Sequence, residues 1–348
     1  MKKTAVILFN LGGPDSSGSI RPFLFNFFMD RNIIRIPIFL RFFIAVVISI
    51  RRSKKEAGDS YALLGGKSPL LENTQAQAQA LEKELGSDFR VFVCMRYWHP
   101  MADEMARKVK NYKPDHIVLL PLYPQYSTTT TKSSFEAWER AAAKIKLFIP
   151  TTKICCYPLN KGFIKASAQN IKRAYESMLI ETTTKNLPPP RVLFSAHGLP
   201  EDIIKEGDPY QWQCEQSVKA IVQEMDIEQL DWQICYQSRV GPKKWLDPDI
   251  RVALEKAGSE AVSVLVYPHS FVSEHVETLV EIDIEYRDLA KKLKIPYFAR
   301  VETVGIMPDF IKSLAEIVRV HKEDKEMRSA CGGRICPSNF CRCPSQIS

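Results

Sequence analysis

Six short apolar runs punctuate this chain of 348 residues, at 4–9, 90–95, 116–122, 191–196, 231–236 and 261–267. They constrain the fold more than any other feature. Each reads as a short strand of a parallel sheet covered by helices on both faces. Between them, residues 72–85, 134–147, 161–180 and 215–224 have the spacing of amphipathic helices. Strands alternating with helices predict an α/β protein with doubly wound sheets.

The runs also echo one another. Val6-Ile7-Leu8-Phe9-Asn10-Leu11-Gly12-Gly13-Pro14 resembles Arg191-Val192-Leu193-Phe194-Ser195-Ala196-His197-Gly198-Leu199-Pro200. The strand ending Cys94-Met95-Arg96-Tyr97 resembles that ending Cys235-Tyr236-Gln237-Ser238-Arg239, and Leu122-Tyr123-Pro124 resembles Val266-Tyr267-Pro268. Three correspondences in one order predict two Rossmann-like domains sharing a cleft, and the length suits two domains with a core each. The first domain is expected at 1–152, the second at 153–304, and a C-terminal helix with a cysteine-rich tail at 305–348. The join falls within 150–158, and residues 185–190 form a proline-rich loop inside the second half.

Neither glycine cluster is a nucleotide site. Gly12-Gly13-Pro14 lacks the G-x-G-x-x-G spacing, and Gly65-Gly66-Lys67-Ser68-Pro69 lacks the first glycine of a P-loop. Pro69 also bars a smooth continuation from Ser68 into a helix. Both clusters predict loops at the mouth of the cleft.

Residues 22–50 read PFLFNFFMDRNIIRIPIFLRFFIAVVISI. Asp30, Arg31, Arg35, Pro37 and Arg41 interrupt the segment, so no run reaches the ~18–20 apolar residues of a bilayer span. Two readings stand: a buried core helix, or a hydrophobic lip dipping into a membrane interface with Arg31, Arg35, Arg41, Arg51 and Arg52 near the headgroups. So many aromatic residues beside arginine favour the lip. The net charge of +8 permits contact with anionic lipid or an acidic ligand, but no dense Lys/Arg run points to nucleic acid. Met1-Lys2-Lys3 leads directly into the first strand with no signal or transit sequence, which predicts a cytoplasmic protein with reduced thiols. Peripheral attachment to the inner face of the cell membrane goes with the lip, and a homodimer is left open.

The acidic stretch from 273 to 285, SEHVETLVEIDIE, follows the last long apolar run. If helical, its spacing stacks Glu277, Glu281 and Glu285 on one face, with His275 opening the row. Like charges at that spacing destabilise a helix by roughly 0.2–0.5 kcal/mol per pair. A divalent cation is one compensation, and a solvated acidic face is the plain alternative. The position after a parallel strand is where α/β proteins place their sites.

At His197 the motifs become specific. LFSAHGLPEDIIKEGDPY, FNLGGPDS, GGKSPL, MRYWHP, LPLYPQYS, YQSRVGP and SEHVETLVEIDIEY resemble, in family order, segments of the ferrochelatases, which insert ferrous iron into a porphyrin. The resemblance runs from about residue 5 to residue 317 and implies two similar Rossmann-like domains, a porphyrin cleft between them and a hydrophobic lip around its opening. It also implies that His197 is the essential histidine and that Glu277 faces it across the porphyrin. His275, Glu281 and Glu285 fall on the acidic helix that the resemblance proposes as a metal or proton path. Asn10, Leu11, Tyr61, Ser68, Arg96, Tyr97, Tyr123 and Trp245 match cleft-lining, substrate-binding positions.

The implied reaction joins protoporphyrin IX and Fe2+, as substrates, to give protoheme with release of two protons, the terminal step of heme biosynthesis. His197 serves as general base or as metal escort, since neutral imidazole suits either task, and Glu277 takes the other part. Two rivals stay open. One is a cobalt or nickel chelatase of a sirohydrochlorin-type tetrapyrrole, whose many carboxylates would not need a lip of Phe and Ile. The other is a non-catalytic porphyrin or heme carrier, which would not need the His197/Glu277 pair. Protoporphyrin suits the greasy mouth better than the more acidic coproporphyrin.

The tail packs Cys331, Cys336, Cys341 and Cys343 into thirteen residues, 331–343, a density that reads as a soft-metal site in a reducing compartment. Some ferrochelatases hold a [2Fe–2S] cluster by three C-terminal cysteines and one from the loop after the YPQYS motif. Here that loop position is Thr128. The resemblance therefore implies that the four tail cysteines supply every thiolate of the cluster, with zinc and free thiols as the other readings. Cys94, Cys155, Cys156, Cys214 and Cys235 sit beside apolar runs and are expected to pack.

Overall fold

The computed structural model describes residues 2–324 and 327–345; Met1 of the leader reading, and residues 325–326 and 346–348 of the C-terminal segment, lie outside them. The chain divides into two compact units. The first comprises Met1–Cys156, Leu314–Arg334 and Pro344–Ser348, and the second comprises Tyr157–Ser313 and Ile335–Cys343.

In the first unit, β1 (Thr4–Asn10), β2 (Phe89–Met95), β3 (His116–Pro121) and β4 (Thr151–Lys153) form one parallel sheet in the order β2-β1-β3-β4. Every residue of β1 is buried, as expected of a central strand without polar alternation. Asn10 pairs with Met95 and Phe9 with Pro121, which brings the carboxyl ends of β1, β2 and β3 level. Helix Ala102–Tyr112 lays Met105, Ala106 and Val109 into the core. Phe9 meets Phe135 and Trp138 edge-on at 5.7 and 6.3 Å, the offset geometry that aromatic quadrupoles prefer.

The second unit repeats the plan. There β5 (Arg191–His197), β6 (Trp232–Gln237), β7 (Val264–Pro268) and β8 (Phe298–Arg300) are parallel in the order β6-β5-β7-β8. Leu193, Leu254, Val266, Ile282 and Tyr286 belong to one of its cores. His197 pairs with Gln237 and Ser195 with Pro268, so the ends of β5, β6 and β7 share one edge. The α/β class with parallel sheets flanked by helices is what the strand pattern predicts. The six apolar runs became the six longer strands, whereas β4 and β8, with three residues each, carry too short a signal to read.

Two segments differ from their simplest readings. Residues 22–50 do not form a buried core helix. In helix Ile38–Ser53 only Ala45 and Ser49 are buried, while Phe39 is 78% exposed and Phe43 67%. No helix among the described residues is long and apolar enough to cross a membrane. The acidic segment Glu277–Tyr286 is a π-helix rather than an α-helix, continuing as α-helix from Arg287 to Lys292. Bonding from i to i+5 widens each turn, and such turns are frequent at functional sites.

Candidate active site

His197 closes β5, and its main chain is held from two sides. Its N–H donates to Ser270 Oγ at 2.9 Å, and its carbonyl accepts the Tyr210 hydroxyl at 3.0 Å. The ring is fixed as well. Nδ1 lies 2.6 Å from the Gly198 carbonyl oxygen, which can only accept, so Nδ1 carries the proton and Nε2 of the neutral ring carries the lone pair. Gly198 is required where it stands, because a Cβ there would lie 2.8 Å from Gln237 O and 3.3 Å from Trp245 Cε3.

Nε2 of His197 is 3.6 Å from Glu277 Oε2, and His275 Nε2 is 3.8 Å from the same oxygen. The His275 ring packs on Phe271 at 4.6 Å, and Phe271 meets His197 edge-on at 6.4 Å. The π-helix thus gathers His275, Glu277 and His197 into one cluster. This corrects one expectation. A tetrapyrrole plane in contact on both sides needs about 7 Å, twice a carbon contact distance of about 3.5 Å, so His197 and Glu277 do not face each other across a porphyrin. They stand together.

The acidic row is not uniform. Glu281 turns inward and accepts four hydrogen bonds, from Gln237 Nε2 (2.9 Å), Ser238 N (3.0 Å), Ser238 Oγ (2.5 Å) and Tyr286 OH (2.7 Å). Burial pushes the Tyr286 phenol above its ordinary range, and the neighbouring Glu281 raises it further, so it stays a donor. Gln237 also donates to the Glu277 carbonyl at 3.2 Å and accepts from Ser195 Oγ at 2.7 Å. Glu285 is exposed. Beneath the helix, Arg300 bridges Asp283 (2.7 Å) and Glu274 (2.9 Å). His269 is a core residue. Its Nε2 lies 2.7 Å from Ser217 Oγ, and burial lowers its pKa to about 3.

In the first unit the expected substrate residues cluster at the carboxyl ends of β1, β2 and β3. Asn10 Nδ2 donates to Thr74 Oγ1 at 3.0 Å, and its Oδ1 accepts from Leu11 N at 2.9 Å. Ser68 N donates to Pro14 O at 2.7 Å, drawing the two glycine loops together. Tyr61 and Tyr123 are buried.

Arg96 and Tyr97 are committed to Asp30, whose Oδ2 accepts from Arg96 Nη2 at 2.8 Å, from Tyr97 OH at 2.9 Å and from Ser133 Oγ. Burial alone would raise the Asp30 carboxyl, but the Arg96 charge and these hydrogen bonds outweigh it and hold the pKa below the usual range. Sequence reasoning missed Asp30 as a hub, although it is the sole acidic residue in 22–50. It missed Tyr210, Gln237 and Ser238 too, each of which lies inside a motif already singled out.

The tail cysteines do not share one setting. Cys331 belongs to the first unit and Cys336, Cys341 and Cys343 to the second. Cys336 and Cys343 are buried, Cys331 and Cys341 exposed. Gln213 Nε2 donates to Cys336 Sγ at 3.1 Å. Among the described residues, no group of three or more His, Cys, Asp or Glu side chains is gathered closely enough to hold a metal ion. Cys94, Cys155, Cys156, Cys214 and Cys235 are all buried.

Two four-stranded parallel sheets of matching order, the second carrying His197 at its carboxyl edge, give this α/β chain a chelatase-like fold. SirB from Bacillus subtilis, solved with Fe3+, aligns at a TM-score of 0.53 over 92% of this chain and 96% of that one, with 12% identity. That likeness speaks to the fold. The sequence carries the finer assignment. A family profile described as Ferrochelatase matches residues 3–322. A ferrochelatase of Wolbachia sp. subsp. Drosophila simulans (strain wRi) is 50% identical over 90% of this chain and 98% of that protein. One of Caulobacter vibrioides (strain NA1000 / CB15N) is 46% identical over 99% and 97%. The chain belongs to the ferrochelatase family, and its activity is that of a metal chelatase.

Proposed function

We propose that this enzyme inserts Fe2+ into protoporphyrin IX with His197 as the proton acceptor and Glu277 as its charge partner. The observation that carries the assignment is the His197 ring, whose Nδ1–H is committed to the Gly198 carbonyl. Only Nε2 remains to take a proton, and the side chain is 34% exposed, within reach of a bound substrate. Two pyrrole N–H bonds must break, releasing two protons, while Fe2+ bonds to all four ring nitrogens. Nε2 accepts one proton, and the imidazolium so formed is stabilised by the Glu277 carboxylate beside it. Turnover returns that proton to solvent before the second is taken, with Glu281 and Glu285 as the path outward.

Asn10, Leu11, Tyr61, Ser68, Tyr123 and Trp245 are the proposed porphyrin contacts. Arg96 and Tyr97, tied to Asp30, brace that edge. The exposed face of Ile38–Ser53, ending in Arg51 and Arg52, is proposed to rest on an anionic membrane surface, the inner face of the cell membrane, where a hydrophobic porphyrin would be collected.

The tail is proposed to hold a [2Fe–2S] cluster through Cys331, Cys336, Cys341 and Cys343. Four thiols match the ligand count, and an N–H on a ligand sulfur, as Gln213 supplies to Cys336, tunes such clusters, but the four are not gathered into one group in this structure, so the cluster requires the tail to draw them together. A colourless protein containing zinc but neither iron nor sulfide would reject it. The reaction itself is tested by anaerobic incubation with protoporphyrin and Fe2+, which is expected to convert the free-base visible bands to those of heme. Turnover of a sirohydrochlorin-type tetrapyrrole with Co2+ and none of protoporphyrin would overturn the assignment.

A further inference from the structure

We propose that Ile335–Cys343 acts as a strap and that Tyr210, which it clamps, is the positioning residue for His197. This rests on the reading of His197 as the proton acceptor. The main-chain carbonyl of His197 accepts the Tyr210 hydroxyl at 3.0 Å. The same phenol bonds to Ser270, whose Oγ receives the His197 N–H. Tyr210 is buried, and burial pushes its pKa well above the ordinary range, so it remains a hydrogen-bond donor. It opens helix Tyr210–Met225, and the buried Asp208 accepts from Tyr210 N at 3.1 Å.

The tail grips the chain on both sides of this residue. Ahead of it, Arg342 N donates to Gly207 O at 3.1 Å. Arg342 Nε donates to Glu206 O at 2.9 Å, and its Nη2 pairs with the Glu206 carboxylate at 2.5 Å. Gly207, at φ +92°, admits the strap because it has no side chain, and a Cβ there would lie 2.9 Å from Cys341 N. Behind it, the Trp212 ring lies against Phe340 at 6.1 Å, and Gln213 Nε2 donates to the buried Cys336 Sγ at 3.1 Å. Residues 206, 207, 212 and 213 are therefore fixed from outside, with Tyr210 between them. A displaced strap would loosen the hydroxyl that sets the His197 peptide, and small misplacements of a catalytic group are costly.

The test compares Arg342→Ala, Tyr210→Phe and the double variant in the full chain, with His197→Ala as reference. Arg342 is at the surface and Tyr210→Phe keeps the ring, so all should fold. Hydrogen exchange of the peptide spanning 198–213 is expected to quicken in Arg342→Ala. Each single variant should lower kcat about tenfold with KM for protoporphyrin changed less than about twofold. The double variant should lose no more than the worse single one. Unchanged exchange and kcat in Arg342→Ala, or losses that multiply in the double variant, would overturn the strap while an inactive His197→Ala left the base assignment standing. Wild-type turnover by His197→Ala would remove both.

Discussion

Glu277 Oε2 stands 3.6 Å from His197 Nε2 and 3.8 Å from His275 Nε2. Neither separation is a hydrogen bond, and the three groups share one side of the second unit's sheet edge. A proton arriving at His197 turns its contact with the carboxylate from dipolar to ionic. A protonated His197 is therefore stabilised without having to move. His275 is nearly enclosed, with 8% of its side chain exposed, so it braces Glu277 from behind.

Glu281→Gln preserves shape but puts an amide N–H₂ where four donors now converge. At least one donor then faces another, at a cost of about 1–3 kcal/mol. If Glu281 lies on the proposed proton path, metallation is expected to slow about tenfold, with porphyrin affinity by fluorescence titration unchanged. A wild-type rate would leave Glu281 as a brace for the π-helix only.

Removal of the Asp30 carboxylate leaves Arg96 charged in a site where only 11% of its side chain is exposed. Asp30→Ala is expected to lower unfolding free energy by about 3–5 kcal/mol in urea titrations. The pH dependence has a definite sign. Because the folded pKa lies below the ordinary value, this stabilisation is present above about pH 4 and is lost as pH falls through the folded value. The gap between wild type and variant should therefore stay constant from pH 7 to 5 and shrink below pH 4. A gap that widens in acid would contradict the pairing.

Phe39 and Phe43 present most of their ring area to solvent. Replacing both with Asp should weaken binding to vesicles containing phosphatidylglycerol about a hundredfold, at roughly 1.5 kcal/mol per ring. Turnover of detergent-dispersed porphyrin should persist. Equal sedimentation of variant and wild type with the vesicles would show that this face does not meet lipid.

The sequence was most legible where burial imposes a long pattern. Strands such as Thr4–Asn10 and Arg191–His197 are apolar along almost their whole length because both faces are covered. Three-residue strands carry no such pattern. The row of Glu277, Glu281 and Glu285 was visible as spacing, but its division was not. Glu281 is inward because Ser238, Gln237 and Tyr286 offer donors, and two of those lie on a different strand and loop from the helix. Asp30 was visible only as an interruption of a greasy segment, since its partners Arg96, Tyr97 and Ser133 are 66 to 103 residues away. Long-range polar partnership leaves no period in a sequence.

The central claim is that His197 Nε2 takes the porphyrin proton. The most direct test is single-turnover metallation of bound protoporphyrin with Fe2+ by His197→Ala, with folding checked by circular dichroism and porphyrin binding by fluorescence. The expected result is a folded protein that binds porphyrin normally and metallates it about 10²–10⁴-fold more slowly. A His197→Ala protein that metallates at the wild-type rate would contradict it.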